Sequence, residues 1–310
     1  MKFLIYGAGV IGSILAGKLS KAGYDVTVLA RGKRFNELKE KGVLLKGTYS
    51  DKTGCCPVRV IDRLEPDDLY DFILVAMQKT QVDAILPDLS KNKSPNLVFM
   101  VNNCLGYDSW AKAVGAKRLM LGFPSAGGER RDGVVTYFIG RGLIRLFQTT
   151  TFAEYCGEKS ARLKLLVYAF SKAGIPSVTV SDMDAWQKTH VLIVTAIGNA
   201  LYKHGCDNYE LSKSKEDLML MASGIKEGFR VLKRNGIAVT PGKLWYFKLP
   251  DRMLAFVFHF IMNTKMAEIT MAKHTIAARD EMRVLQADFD CLVRRSGLPT
   301  PHIDQLKKYL

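Results

Sequence analysis

Apolar and polar residues alternate in blocks over the first 180 residues, as in buried strands separated by helices. A helix is predicted from about Lys159 to Ala173. The predicted strands are Met1–Tyr6, Tyr24–Leu29, Phe72–Met77, Leu97–Asn102, Arg118–Phe123, Val134–Ile139, Leu143–Gln148 and Ser177–Val180. Gly140-Arg141-Gly142 separates two of these strands and predicts a hairpin between them. Strands that alternate with helices are typical of a mostly parallel sheet with helices on both faces.

After Ser181 the pattern becomes helical up to the end of the sequence. Ser181 is predicted to cap a helix, with Asp184 as its acidic partner three residues later. A second helix ends at Asn235-Gly236, and a third runs from about Lys265 to Arg295. The apolar stripe of the second helix is Leu218, Met221, Ala222, Ile225, Phe229 and Leu232. The sequence therefore predicts an α/β domain over residues 1–180 and an all-α domain over residues 181–310.

A glycine-rich turn directly follows the first predicted strand. Its sequence is Gly7-Ala8-Gly9-Val10-Ile11-Gly12, and a helical pattern opens at Ser13. In a strand–turn–helix context this spacing is typical of a Rossmann-type dinucleotide-binding domain. Gly7 would make the tight turn, Gly9 would let the backbone approach a diphosphate, and Gly12 would let the helix pack against the strand. We therefore expect a dinucleotide to contact Gly7, Gly9, Val10, Ile11 and Gly12; a glycine turn in a nucleotide-free domain is the alternative.

The end of the second predicted strand bears on the choice of nucleotide. Enzymes that prefer NAD usually place a carboxylate there to bind the ribose 2′-hydroxyl. This chain has Ala30-Arg31-Gly32-Lys33-Arg34, with three cations and no carboxylate. Arg31 is suited to a bidentate contact with a 2′-phosphate, assisted by Lys33 or Arg34. This favours NADP (as NADPH) over NAD, and a solvated basic loop is the alternative.

Composition narrows the function classes. Lys and Arg exceed Asp and Glu by 45 − 30 = 15, so the 310-residue chain attracts anions. The basic residues are scattered rather than clustered, which argues against a nucleic-acid partner. The apolar run from Met253 to Met262 is too short to span a bilayer, which argues against a membrane protein.

Six cysteines without a C-x-x-C motif indicate free thiols in a reducing compartment. We therefore expect a cytoplasmic protein. Clustered His, Asp or Cys residues at ligand spacing are missing from the sequence, so no metal site is expected.

Helical register indicates candidate catalytic residues in the second domain. Lys188, Thr195 and Asn199 share one helix face, and Thr270, His274 and Glu281 share another by the same count. We expect both faces to line a cleft between the domains. There a lysine ammonium can donate to a carbonyl oxygen as hydride arrives at the carbon. A solvated lysine on a helix face is the alternative, and His274 is equally consistent with a hydrogen-bonded core histidine.

Several motifs together resemble the ketopantoate reductase (2-dehydropantoate 2-reductase) family over nearly the whole chain. They are Gly7–Gly12, Arg31, Val101-Asn102-Asn103-Cys104-Leu105-Gly106, Arg131-Asp132-Gly133, Trp186-Gln187-Lys188 and Ala278-Arg279-Asp280-Glu281. The resemblance implies an NADPH-dependent reductase of a 2-oxo acid, as in pantothenate biosynthesis. It implies that Lys188 donates the proton, that Glu281 holds a substrate hydroxyl or the lysine, and that Asn103 lies beside the nicotinamide.

The chain departs from the family at several substrate and cofactor positions. Leu192 stands where the resemblance implies a substrate-binding asparagine, and Ala196 replaces the asparagine of the next turn. Gln78 takes the place of a lysine near the nicotinamide ribose, with Lys79 beside it. In the predicted helix from about Lys265 to Arg295, Thr270 is the nearest match to the substrate-binding serine of the family. An apolar pocket wall at Leu192 predicts weak activity on ketopantoate and a preference for a more apolar oxo acid.

Two further questions stay open at this point. A regulator that binds NADPH without turnover is an alternative to a reductase, although the presence of both Lys188 and Glu281 favours the enzyme. The segment 245–260 is rich in aromatic residues. It is consistent with domain core, with a lid over an apolar substrate, or with a contact in a homodimer.

Overall fold

The computed structural model describes residues 1–140 and 149–310 and divides them into two compact units. The first unit comprises Met1–Val101 and Tyr107–Met183, and the second comprises Asn102–Gly106 and Asp184–Leu310. The sequence places one boundary after residue 180. In the structure the chain passes to the second unit after Met183, and the short segment Asn102–Gly106 also belongs to that unit.

The first unit is built on an eight-stranded sheet, counted over the described residues. Its strands, numbered along the chain, are β1 (Lys2–Tyr6), β2 (Asp25–Leu29), β5 (Arg59–Ile61), β6 (Phe72–Val75), β7 (Leu97–Phe99), β8 (Leu119–Phe123), β11 (Thr150–Glu154) and β12 (Ser177–Thr179). They lie in the order β12-β11-β8-β7-β6-β1-β2-β5. Across the sheet, the six strands β8-β7-β6-β1-β2-β5 all pair in parallel with their neighbours. This is the 3-2-1-4-5-6 order of the Rossmann fold, so the predicted fold class is confirmed.

The central strands are apolar because both of their faces are covered. All four residues of β6 are buried, as are the last four of β1. A continuous apolar run is what a parallel sheet between helical layers requires. The rings of Phe3 and Phe72 stack with their centroids 5.6 Å apart across these two strands.

A second sheet lies within the same unit. Its strands are β3 (Val43–Gly47), β4 (Thr53–Cys56), β9 (Ala126–Arg131) and β10 (Val134–Ile139), in the order β4-β3-β10-β9. β10 matches a predicted strand, but it pairs with β9 and β3. Its predicted hairpin partner, Leu143–Gln148, lies outside the described residues.

The helices of the first unit cover the large sheet. They are α1 (Val10–Lys21), α2 (Gly32–Lys41), α3 (Leu86–Lys91), α4 (Asp108–Val114) and α5 (Ala161–Lys172). α1 packs closely on the second sheet at Gly17, where a Cβ would lie 2.6 Å from Leu45 Cδ1. Two sheets therefore sandwich the helix that follows the glycine-rich turn.

From Asp184 onward, the regular secondary structure of the second unit is entirely helical. Its helices are α6 (Met183–Lys203, whose first residue belongs to the first unit), α7 (Asn208–Lys213), α8 (Lys215–Arg234), α9 (Asp251–Met262), α10 (Lys265–Ala267), α11 (Lys273–Ala277), α12 (Arg279–Ser296) and α13 (Pro301–Leu306). The predicted stripe of α8 is buried, and Asn235 caps its end as predicted. α6 begins two residues after Ser181, so Ser181 does not directly precede it. Within the described residues, no helix is both long enough and apolar enough to cross a membrane.

The prediction of one continuous helix from Lys265 to Arg295 is wrong. A π-helical segment covers Glu268–Ala272, and Ala278 leaves the helical conformation at φ −117°, ψ 24°. A π turn holds more residues than an α turn, so it rotates every later side chain around the axis. The count that placed Thr270, His274 and Glu281 on one face therefore does not hold.

Candidate active site

Each glycine of the glycine-rich turn meets a different local requirement. Gly7 has φ +118°, and a Cβ there would lie 2.4 Å from the Ala76 carbonyl oxygen. A Cβ on Gly12 would lie 1.8 Å from the Gly7 carbonyl oxygen. Around Gly9, by contrast, nothing described lies within 4 Å of such a Cβ. Gly7 and Gly12 are thus fixed by close packing, and the space above Gly9 is open to a ligand.

The N-terminus of α1 offers backbone donors at this turn. Gly9 is its N-cap and supplies no side-chain cap, and the first turn carries no acidic residue. The first N–H groups of a helix lack intrahelical partners, and the helix dipole favours an anion there. Open space above Gly9 and uncapped donors beyond it fit the diphosphate of a dinucleotide.

The turn lies at the carboxyl end of β1, beside the carboxyl end of β6. These strands are neighbours in the sheet, at the point where the strand order reverses. Gln78 follows β6 and caps the short turn Lys79–Gln81, with which it exchanges hydrogen bonds. The candidate cofactor residues of the first unit thus gather at the edge where Rossmann folds bind ligands.

Arg31 lies at the end of β2, where the sequence predicts a phosphate contact. It is the N-cap residue of α2, and its side chain is exposed. Its Nε donates to the Asp62 carbonyl oxygen over 3.4 Å. Burial and the Asp88 carboxylate raise the pKa of the nearby Tyr6 hydroxyl, an effect that Arg31 partly offsets.

Arg34 takes a different direction from Arg31. Its Nη2 donates to Ser13 Oγ at 3.0 Å, and its Nη1 pairs with the Glu37 carboxylate at 3.1 Å. The side chain is only 11% exposed, and burial lowers its pKa. Arg34 therefore braces the start of α1 from within the unit.

In the second unit, Asn103 closes a turn that packs on α6. Its Oδ1 accepts from the Leu105 N–H at 3.2 Å, and its Nδ2 donates to the Gly106 carbonyl. The Asn103 N–H donates to Gln187 Oε1 at 3.4 Å. The structure thus brings Asn103 close to the helix turn that carries Lys188.

Lys188 lies in the second turn of α6. It forms an ion pair with Asp184, one helical turn earlier. The lysine side chain is 12% exposed and that of Asp184 is 41% exposed. The i,i+4 spacing of Asp184 and Lys188 is a sequence signal for this ion pair, although Asp184 was predicted only as a capping partner.

Glu281 lies in the first turn of α12 and is buried. Its carboxylate is close to the N-terminus of that helix, where the dipole stabilises negative charge. Lys188 and Glu281 therefore belong to the same unit and lie at the beginnings of two of its helices.

Two other predicted residues of α6 are buried and hydrogen-bonded within the second unit. The Thr195 hydroxyl donates to the Val191 carbonyl at 2.9 Å, and Thr195 is buried. Asn199 is also buried and donates to Gln286 Oε1 at 3.0 Å. Asn199 Oδ1 has no hydrogen-bond partner within the described residues.

Leu192 is a core residue. It is 1% exposed, and a Cβ on Gly228 of α8 would lie 2.0 Å from Leu192 Cδ1. The expectation that Leu192 forms an apolar pocket wall is therefore wrong. The glycine of α8 leaves a notch that the leucine fills.

His274 and Thr270 are both half-buried. The Thr270 hydroxyl donates to the Met266 carbonyl at 2.8 Å. Burial lowers the pKa of His274. It also lowers the pKa of His190 to about 3, with a contribution from His274. The two imidazoles thus lie within electrostatic range of each other and favour their neutral forms.

No group of three or more His, Cys, Asp or Glu side chains within residues 1–140 and 149–310 is placed to hold a metal ion. The six cysteines all lie in these ranges and are free thiols.

Known proteins with related sequences and folds are reductases and dehydrogenases. A 2-dehydropantoate 2-reductase of Pyrococcus horikoshii is 22% identical over 237 residues, which cover 76% of this chain and 75% of that protein. The crystal structure of 2-dehydropantoate 2-reductase from Geobacter metallireducens matches with a TM-score of 0.78 at 17% identity, over 100% of this chain and 99% of that one.

Two further solved structures share the fold. A ternary structure of D-mandelate dehydrogenase with NADH and anilino(oxo)acetate has a TM-score of 0.78 at 17% identity, over 100% of this chain and 96% of that one. A dimeric ketopantoate reductase from Staphylococcus aureus has a TM-score of 0.67 at 15% identity, over 100% of this chain and 98% of that one.

The family model of ketopantoate reductase PanE/ApbA matches residues 3–148. The matched residues include the glycine-rich turn, the strands on either side of it in the sheet and most of the first unit. Ketopantoate reductases form a family of oxidoreductases that use a nicotinamide cofactor. The N-terminal half of this chain is thus a ketopantoate reductase domain of the PanE/ApbA family.

Proposed function

We propose that this protein is an NADPH-dependent reductase of a 2-oxo acid. One observation carries the proposal: the unit that follows a ketopantoate reductase domain contains a largely buried lysine, Lys188, and a buried glutamate, Glu281. Burying charged side chains costs free energy. Their presence in a chain whose glycine-rich turn is typical of dinucleotide binding therefore supports a catalytic role over a purely regulatory one.

The cofactor is proposed to bind at Gly7, Gly9, Val10, Ile11 and Gly12. Arg31 is exposed at the end of β2 and is proposed to hold the 2′-phosphate, which favours NADP over NAD. When bound, the nicotinamide nucleotide supplies the hydride. Gln78 and Asn103 are proposed to lie near the nicotinamide end.

Lys188 is proposed to donate a proton to the substrate oxygen, while Glu281 holds a substrate hydroxyl or the lysine. Thr195 and Asn199 are buried within the second unit, at 2% and 1% exposure. Thr270 and His274 are only half-buried. We therefore propose Thr270 and His274, rather than Thr195 and Asn199, as the residues that contact substrate.

The substrate is proposed to be more apolar than ketopantoate. At position 192, where the resemblance implies a substrate-binding asparagine, the chain has a core leucine that offers ketopantoate no hydrogen bond. The similar fold of D-mandelate dehydrogenase, a name that implies an aromatic hydroxy acid, adds support. Ketopantoate itself is the second candidate.

The test is a substrate panel with the purified protein, following loss of NADPH absorbance. The panel contains ketopantoate, an aromatic 2-oxo acid and branched aliphatic 2-oxo acids, each with NADPH and with NADH. We expect turnover of at least one 2-oxo acid with NADPH, abolished by Lys188→Ala. Tight NADPH binding without turnover of any of them would favour the regulator instead.

We also propose that the protein forms a homodimer in the cytoplasm. The side chains of Met253, Phe256, Val257 and Phe260 form an exposed apolar stripe on α9, while the opposite face of the helix is buried. A helix that is apolar on both faces is usually covered on both. The dimeric enzyme with the same fold adds support. Six free thiols are consistent with a reducing compartment.

A further inference from the structure

Arg130 comes from a part of the first unit outside the strand–turn–helix motif, yet it reaches the glycine-rich turn. It lies on β9, where alternate residues point to opposite faces of the sheet. A Cβ on Gly128 of that strand would lie 3.1 Å from Val10 Cγ1. The face that holds Gly128 and Arg130 therefore points at the start of α1, while Arg131 belongs to the opposite face.

Two guanidinium groups meet at one carbonyl of the turn. Arg130 Nη1 donates to the Ala8 oxygen at 3.2 Å, and Arg34 Nε donates to the same oxygen at 3.4 Å. Arg34 forms an ion pair with Glu37, and its side chain is nearly buried. Within the described residues, the Ala8 oxygen is the one hydrogen-bond partner of Arg130. Most of its five N–H donors are therefore available to a ligand.

The surroundings of Arg130 favour an anion. Like charges that lie close together repel each other, and an anion between or beside them relieves the repulsion. The Arg130 charge disfavours the charged form of Arg34, so the two groups are within electrostatic range. The space above Gly9 is open, and the α1 N-terminus beyond it has no side-chain cap. A phosphate at this position would meet the backbone donors of α1 and the exposed arginine together.

We propose that Arg130 binds a phosphate group of the dinucleotide at the glycine-rich turn. The inference rests on the proposed function, because it needs a phosphate-bearing cofactor. Diphosphate and 2′-phosphate share the chemistry that an arginine recognises. NADPH carries both groups and NADH carries only the diphosphate, so the two nucleotides separate these sources.

The test compares Arg130→Gln with Arg131→Gln. The substitutions remove the same charge from adjacent residues of one strand, and Arg131 is 79% exposed and pairs only with Glu129 at 3.8 Å within the described chain. Dissociation constants for NADPH and NADH are measured calorimetrically for both variants and for the wild type. We expect Arg130→Gln to weaken NADPH binding about tenfold or more, as for loss of a hydrogen bond to a charged group. Arg131→Gln should change it less than about twofold.

The pattern of losses identifies the phosphate. A loss for NADPH alone assigns Arg130 to the 2′-phosphate, and equal losses for NADPH and NADH assign it to the diphosphate. Arg130→Lys keeps the charge at the same exposed position and should restore part of the affinity. If wild-type protein binds NADPH and Arg130→Gln binds it equally well, or no worse than Arg131→Gln, this inference is overturned alone. If the wild type binds neither nucleotide, the proposed function fails with it.

Discussion

The ammonium of Lys188 pairs with the carboxylate of Asp184, one turn earlier on α6. The pair fixes the lysine along the helix surface rather than leaving it free in solvent. The lysine stem is largely covered, whereas the Asp184 carboxylate is partly exposed. The proposed proton donor is therefore held in position by its own helix.

Replacing Lys188 with alanine is expected to lower kcat by roughly 10²–10⁴, because general-acid help acts only in the transition state. NADPH binding should stay near the wild-type value, because Lys188→Ala leaves the proposed phosphate-binding residues, the glycine-rich turn and Arg31, unchanged. Steady-state kinetics on the substrate found in the panel, with calorimetric titration of NADPH, measure both quantities. Lys233→Met is the control, because Lys233 is an exposed lysine at the end of α8. Near-normal turnover by Lys188→Ala would remove Lys188 from the catalytic residues.

Arg31→Ala is expected to weaken NADPH binding by about 1–3 kcal/mol, because a charge-assisted contact with the 2′-phosphate is lost. NADH lacks that phosphate, so its affinity should hardly change. Parallel titrations with the two nucleotides measure the difference. Equal losses for NADPH and NADH would reject Arg31 as the 2′-phosphate residue.

The sequence predicted the parts of the cofactor site that depend on local chain geometry. Positions 7 and 12 require glycine because a Cβ would clash with the Ala76 and Gly7 carbonyl oxygens, respectively. These contacts lie within the turn or between adjacent strands, so the spacing of the glycines is a sequence signal for them. The end of α8 at Asn235 was predicted for the same reason, since a cap signal follows a regular apolar stripe. Such features are specified by neighbouring residues and can be inferred from one chain.

Other features depend on contacts that are distant in sequence. β9 was missed because Ala-Gly-Gly-Glu-Arg-Arg has low strand propensity, although Asp132-Gly133 after it is a strong two-residue hairpin signal. The approach of Arg130 to Ala8 depends on that hairpin. The π-helical segment before Lys273 contains no glycine or proline, so periodicity alone gave no sign of the change in register. The burial of Leu192 depends on Gly228, on another helix.

Leu192→Asn is expected to lower the free energy of unfolding by roughly 2–5 kcal/mol, because a buried apolar contact is lost and an amide is buried. It should not create efficient ketopantoate reduction, since the side chain faces the notch at Gly228. Urea denaturation and kcat/KM for ketopantoate measure the two effects, with Leu192→Met as the conservative control. A stable variant with strongly raised ketopantoate activity would contradict the core assignment. A wild-type kcat/KM for ketopantoate near about 10⁵ M⁻¹s⁻¹ would instead restore ketopantoate as substrate.

Phe256→Glu is expected to shift a homodimer toward monomer, because it places a charge in the middle of the exposed stripe of α9. Light scattering after size-exclusion chromatography measures the mass at several protein concentrations. Leu165→Glu, at an exposed leucine of α5, is the matched control and should leave the mass unchanged. A wild-type protein that is monomeric throughout, or a dimer insensitive to Phe256→Glu, would exclude this surface as the dimer contact.

His190 lies against Trp186, with ring centroids 5.2 Å apart and ring planes 10° from parallel. Its folded-state pKa is about 3, lowered by burial and by His274. The unfolded chain has an ordinary histidine pKa of about 6.5. Between these values the unfolded state binds a proton that the folded state does not. The stabilisation is therefore complete above about pH 6.5 and is lost as the pH falls toward 3.

His190→Gln is expected to flatten the dependence of stability on pH between about pH 6.5 and 4. In the wild type a single such histidine lowers the free energy of unfolding by up to about 1.4 kcal/mol per pH unit in this range. His274 contributes in the same direction, because burial also lowers its pKa, so some slope should persist in the variant. Urea denaturation at several pH values measures both slopes, and the comparison is unaffected by a constant loss of stability in the variant.

His204→Gln is a less suitable control, because His204 contacts Asp217. His259→Gln changes a histidine of α9 whose Nδ1 faces the Ser212 carbonyl, and it serves as the control. If His190→Gln and wild type lose stability in parallel as the pH falls, His190 is not the group that opposes protonation in the folded state.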